Sequence, residues 1–320
     1  MSSRKSKSIR LISFLRHASW RGERYREPVR VKLAASLVVA LALAVVVVSR
    51  SVGDDPPNAR AVVAADAEAA RPDRLRPSKP PRGDHDHHQR RVPSAAALRD
   101  ARQFTAGRAG LVSFAVINSE GQLRGDDSNR RYLSASVVKA MLLAAELRRL
   151  KHAGEGIDAS TDSLLTAMIT RSDNDAADAI YARVGDQGLF DVAERAGMTS
   201  YTVAGHWGNS QITAADMARF FGDLDRVFVR RHREYAKGLL GSVIAEQSWG
   251  IPAAAGARWA VRFKGGWLPD RALVHQAAEL RARHGDRELA IAVLTDSQPS
   301  FAYGVQTVTG IAARLLARHD

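Results

Sequence analysis

The chain has 320 residues, 45% of them hydrophobic, and a formal charge of +13 from 47 Lys/Arg against 34 Asp/Glu; this is enough for one large or two small packed domains. The excess charge lies at one end: residues 1–93 hold 19 Lys/Arg and 9 Asp/Glu, whereas residues 94–320 carry only +3, so the domain-like part lacks the basic footprint of a nucleic-acid binder. There is no Cys, which excludes disulfides, thiolate metal sites and a lipidated N-terminal cysteine.

Residues 1–32 form a basic tail with ten Lys/Arg and two acids, and LAASLVVALALAVVVV follows over 33–48 without a charge. Extended by Val31 and the snorkelling stem of Lys32, this run approaches the ~20 residues that span a bilayer. We read 33–49 as a transmembrane signal-anchor, with the tail cytoplasmic and the remainder extracytoplasmic by the positive-inside rule. A cleaved signal peptide, giving a secreted protein, is the alternative. Against it stand the long basic region and the poor cleavage site in SRSVGDDPP. A buried core helix fits least, because the flanks are densely charged. Residues 50–93, rich in Pro, Arg and Asp, read as a disordered linker. Its HDHH run (His85, Asp86, His87, His88) has metal-binding residue types but no scaffold to fix their geometry, so no metal or cofactor is assigned.

A domain is expected over 94–320. SAAALRDARQFTAG reads as a helix with Ser94 as N-cap and Gly107 as its end. GLVSFAVIN (110–118) reads as a strand, turning through Ser119-Glu120-Gly121 into a second strand around Leu123. From Ser136 to about Ile244 helical spacing dominates, in DSLLTAMIT, NDAADAIYARVG, GLFDVAERAG and TAADMARFFGDLDRVFV. Beyond Pro252, WAVRFKGGW (259–267), RALVHQAAEL (271–280) and ELAIAVLTD (288–296) read as three strands, and QTVTGIAARLLARH closes the chain as a helix. Sequential strands suit antiparallel pairing, and the terminal helices would cover one face of the sheet.

Three short motifs lie on this frame. In LSASVVKAMLLAAELRRLK, Ser136 precedes Lys139 by three residues at the head of an expected helix, which places hydroxyl and amine on one face. An adjacent Lys base activates a Ser nucleophile, and a helix N-terminus favours a developing oxyanion. ITRSDNDAAD supplies Ser172-Asp173-Asn174, and RFKGGW supplies Lys264-Gly265-Gly266. Ser-x-x-Lys alone is weak, since Ser2 and Lys5 repeat it in the tail. Read singly, Ser136 is an N-cap, SDN a polar helix junction and KGG a turn. Their ordered occurrence on suitable elements carries the weight.

In these motifs, and in its element order over about 95–318, the chain resembles the class A β-lactamase and penicillin-binding serine hydrolases, whose signature is Ser-x-x-Lys, Ser-Asp-Asn and Lys-Thr-Gly. TAADMARFF resembles the helix that follows that family's Ω-loop. The resemblance implies a mixed α/β fold of β-lactamase/transpeptidase type: a five-stranded antiparallel sheet, flanking terminal helices and an inserted helical subdomain. It implies Ser136 as acylated nucleophile, Lys139 as proton acceptor, Ser172 as proton relay and Lys264 as the charge beside the substrate carboxylate, lowering the pKa of its neighbours. Asn174 and Gly265, Gly266 and Trp267 would bind substrate, with the N–H groups of Ser136 and Trp267 as oxyanion hole. The implied substrates are small-molecule or peptidoglycan-type: β-lactams or acyl-D-alanine compounds.

Two departures bear on activity. Gly265 replaces the motif's Thr, whose hydroxyl would bond the substrate carboxylate. Between SDN and TAADMARFF no Glu stands where an Ω-loop base would activate the deacylating water: Asp186, Asp191 and Glu194 fall in or before an expected helix, leaving His206 and Asn209 as the remaining polar candidates. Slow deacylation is therefore expected. The alternative is a non-catalytic cell-wall or β-lactam binding module that retains the fold. No oligomeric state is assigned.

Overall fold

The computed structural model describes residues 93–317; the basic tail, the expected anchor over 33–49 and all but the last residue of the expected linker, with its HDHH run, lie outside the described residues. Helix α1 (Ala95–Ala106) starts at Ser94, whose hydroxyl accepts from Ala97 N, and stops at Gly107. Strands β1 (Leu111–Asn118) and β2 (Leu123–Asp126) form the expected hairpin. The helical block contains α2 (Lys139–Ala153), α3 (Ala159–Thr166), α4 (Asn174–Arg195), α5 (Ala214–Gly222), α6 (Leu224–Val227), α7 (Arg233–Gly241) and α8 (Ile251–Ala255). Gly185, at φ 60°, breaks α4 in two, as the separate segments ending and beginning there suggested. A two-stranded ribbon, too short to leave a period in the sequence, pairs β3 (Tyr132–Leu133), just before α2, with β4 (Gln211–Ile212), between α4 and α5.

The last part of the chain forms β5 (Trp259–Leu268), β6 (Leu273–Ala282), β7 (Glu288–Asp296) and α9 (Phe301–Leu315). The five-stranded sheet runs β2-β1-β7-β6-β5 with antiparallel pairing throughout. Strand β6 begins two residues later than expected, because Pro269–Arg271 turn as a 3₁₀ segment. Helix α9 begins five residues earlier, because the Ser300 hydroxyl caps Tyr303 N.

Both sheet faces are buried, so alternation along the strands assigns residues to two cores. Val112, Phe114 and Val116 of β1, with Leu289, Ile291 and Val293 of β7, pack with Leu98, Val308 and Ile311 of the terminal helices. Ala115, Ala290 and Ala292 face Met217, Phe220 and Phe221 of α5, in the same core as Met141, Leu142 and Leu143 of α2. The small side chains on this second face let the helical block approach the sheet closely.

His275 on β6 fastens the block to the sheet. Its Nδ1 accepts from Thr295 N at 3.0 Å, so Nε2 carries the hydrogen and donates to Leu133 O at 2.9 Å, three residues before Ser136. Tyr132 packs edge-on against the imidazole and bonds Ser113 through its hydroxyl. Complete burial pushes the His275 pKa from 6.5 down to about 4. Between those values the unfolded chain binds a proton that the folded chain refuses, so this contribution to stability is complete above 6.5 and lost as pH falls towards 4. The loss is about 3 kcal/mol. Urea unfolding at pH 7.5 and 4.5 should show wild type losing about that much more than His275→Asn; equal losses would assign the acid sensitivity elsewhere.

Candidate active site

Ser136 lies in a 3₁₀ turn (Ala135–Val138) that runs directly into α2, with Lys139 as the first α-helical residue. This corrects the expectation of a single α-helix through both residues. At three residues per turn, positions i and i+3 eclipse, so the tighter turn aligns Ser136 and Lys139 better than an α-turn does. The turn is entered through Ala135 at φ 43°, a left-handed conformation unfavourable for alanine.

The second motif sits at another strained junction. A π-helical turn over Ala167–Arg171 ends at Ser172, which adopts φ 63° and whose carbonyl faces the Lys139 amine. Asp173 then caps α4 by accepting from Ala176 N, and Asn174 is its first residue. The Lys139 amine donates to Ser172 O at 2.6 Å and to Asn174 Oδ1 at 2.7 Å.

The third motif comes from β5, at the edge of the sheet. The Lys264 amine donates to Ser172 Oγ at 3.0 Å and to its neighbour's carbonyl, Gly265 O, at 3.1 Å. Gly266 presses against the turn that bears Ser136: a Cβ there would lie 2.7 Å from Ser136 N and 2.9 Å from Val137 N. Trp267 follows directly. Three segments far apart in sequence thus meet at Ser172 through the two amines, and β5 meets the turn that bears Ser136 at Gly266.

Both amines are fully buried. Burial pushes Lys139 down to about 8, against the opposing pull of Asp173 and Asp178. Burial, and then the charge on Lys139, push Lys264 down to about 7. Desolvation is therefore the main cause of the lowered values, where sequence reasoning assigned the effect to Lys264 acting on its neighbours.

The segment from Met198 to Thr213, between α4 and α5, contains no carboxylate. The acids around it hold it in place. Asp178 accepts from Trp207 Nε1 at 2.6 Å and pairs with His206 Nε2 at 3.1 Å. Asp186 accepts from Gly205 N and from the Tyr181 hydroxyl. Buried Asp216 accepts from Thr199 N, Ser200 N and Arg219. His206 also accepts from Gly208 N through Nδ1, at 3.0 Å. Its two ring nitrogens are thus both engaged, and the neutral ring has no lone pair left for water. Asn209 donates to Ala204 O within the same loop.

Asp178 is a residue of the candidate site that the sequence reading did not single out. It fixes Trp207, whose ring lies 5.0 Å from the Lys139 amine. The signal was present: Asp178 stands four residues after Asn174, on the same face of α4.

A sequence profile of the Beta-lactamase enzyme family matches residues 150–319. The chain belongs to that family. The matched span contains Ser172, Asn174 and Lys264 to Trp267; Ser136 and Lys139 precede it and are joined to it by the contacts described above. This family member is also similar in structure to a β-lactamase from Sphaerobacter thermophilus, at 19% identity and TM-score 0.60, over 68% of this chain and 96% of that one. A β-lactamase from Streptosporangium roseum matches at 19% identity and TM-score 0.60, over 69% of this chain and 97% of that one. A class A β-lactamase from Mycobacterium abscessus matches at 18% identity and TM-score 0.60, over 69% and 98%. At such identities the structural likeness establishes the fold alone. No curated protein matches the chain significantly.

Proposed function

We propose that the protein is a serine hydrolase that forms an acyl-enzyme at Ser136 with β-lactam or acyl-D-alanine-type substrates and deacylates slowly. The observation that carries this reading is the convergence of two buried amines on Ser172, at 2.6 Å from Lys139 and 3.0 Å from Lys264, beside the turn that bears Ser136. Lys139, with a pKa lowered to about 8, accepts the Ser136 proton as Oγ bonds to the substrate carbonyl carbon. The N–H groups of Ser136 and Trp267 hold the oxyanion. The C–N or C–O bond then breaks, and Ser172 Oγ, held by Lys264, passes its proton to the leaving atom while taking up the one that Lys139 accepted from Ser136. Asn174 orients Lys139. Water later cleaves the acyl ester. Support for slow deacylation comes from the carboxylate-free loop and from the engaged ring nitrogens of His206.

A second reading, a binding module without turnover, draws on Gly265, which offers no hydroxyl to a substrate carboxylate. We also propose that residues 33–49 anchor the chain in the cell membrane, with the enzyme domain extracytoplasmic; support comes from the charge-free run behind a basic tail. Among the described residues no helix is long and apolar enough to cross a membrane.

Intact mass of the full chain after incubation with benzylpenicillin tests the acyl-enzyme. The expected result is an adduct of one drug mass that persists for hours and is absent in Ser136→Ala. Loss of drug without an adduct would overturn slow deacylation. No adduct with intact drug would favour the binding module.

A further inference from the structure

Beside the proposed oxyanion hole stands an aromatic cluster that the acyl-transfer chemistry does not use. Trp267 follows Gly266 on β5, Trp249 comes from the turn before α8, and Phe301 opens α9. Their ring centroids lie 6.3 Å (Trp249–Trp267), 5.7 Å (Trp249–Phe301) and 6.4 Å (Trp267–Phe301) apart, all edge to face. Both tryptophans are half-buried and Phe301 is 40% exposed, so the cluster opens to solvent.

The cluster is rigidly mounted. Buried Gln276 donates to Trp249 O at 2.8 Å and accepts from Ile251 N at 2.7 Å. Gly250 between them takes φ 68°, and a Cβ there would lie 2.3 Å from Gln276 Oε1. The Trp249 ring leans over Gly265: a Cβ at 265 would meet its Cη2 and Cζ2 at 3.5 and 3.6 Å. Position 265 therefore has room for alanine, but the branches of a threonine would push against the indole. Gly265 thus removes a hydroxyl and makes room for a ring in the same place.

The physical consequence concerns charge. Ring faces carry negative quadrupole density, and an anion set against them loses hydration without gaining a donor. An uncharged planar group gains apolar burial and edge-to-face contacts. We propose that Trp249, Trp267 and Phe301 form a substrate subsite that takes an uncharged, ring-bearing group in preference to a carboxylate. This rests on the Ser136 reading only for its place in the reaction, since the rings bind whether or not acylation follows.

Benzylpenicillin, its methyl ester and its benzyl ester separate charge from ring contact. Binding to full-length Ser136→Ala is read by quenching of tryptophan fluorescence. The benzyl ester should bind about tenfold more tightly than the methyl ester, and the methyl ester more tightly than the free acid. Trp249→Ala and Phe301→Ala in the same background should each remove most of the benzyl-over-methyl gain, and Gly265→Thr with Trp249→Ala should move the preference towards the acid. A free acid that binds as well as either ester, or a methyl ester equal to the benzyl ester, overturns the subsite. Adduct formation by wild type with the same three compounds tests Ser136 separately. An ester preference in binding without any adduct would refute the acyl-enzyme and keep the subsite, whereas adducts without an ester preference would do the reverse.

Discussion

Lys139→Met should lower the rate of Ser136 acylation by benzylpenicillin about 10³-fold, within the range for loss of a general base. Methionine fills the buried volume and removes only the amine, which in wild type bonds Ser172 O and Asn174 Oδ1. The pH dependence identifies the chemistry. A lysine is a base only when neutral, and burial sets the Lys139 pKa at about 8. The wild-type rate should therefore rise with pH up to about 8 and then level, and the rise should be missing in the variant. Because the buried ammonium is held in the fold against its desolvation cost, the variant should melt no lower than wild type. A pH-independent wild-type rate between 6 and 9 would exclude Lys139 as the proton acceptor.

Gly266→Ala should be nearly as severe for a different reason. Its new methyl would lie 2.7 Å from Ser136 N and 2.9 Å from Val137 N, closer than real Cβ contacts allow. Neither atom is the end of a flexible side chain, so strand β5 and the turn that bears Ser136 must separate. The Ser136 and Trp267 N–H groups then move apart, and loss of oxyanion stabilisation is expected to slow acylation by about 10²–10³. Gly265→Ala is the matched control, because its Cβ meets only ordinary contacts at 3.5–3.6 Å. Acylation rate constants measured by mass spectrometry for the two variants should differ at least tenfold. Equal rates would show that the close approach of β5 to Ser136 has no catalytic role.

The sequence by itself determined the parts. Near-continuous apolar runs in β1 and β7 mark strands buried on both faces, and helical spacing in α1 and α9 records which face of each helix is buried, because burial acts residue by residue. Caps such as Ser94 and Gly107 mark helix ends through bonds that reach only three or four residues. Ser136, Lys139, Ser172, Asn174 and Lys264 were legible as motifs for the same reason: each motif is local.

Only the tertiary structure decided what these parts do to one another. Lys139 and Ser172 are 33 residues apart, and Ser172 and Lys264 are 92 apart; no local period encodes such a meeting. The lowered pKa values of both lysines arise from burial, which depends on how the helical block packs on the sheet. In sequence His206 is one of two remaining polar loop candidates, and in the fold both of its ring nitrogens are occupied. The meaning of Gly265 changed most. In sequence it is a missing hydroxyl, and in the fold it is the space into which Trp249 leans. Short-range chemistry writes motifs into a chain, but distance, desolvation and shape belong to the packing of elements remote in sequence.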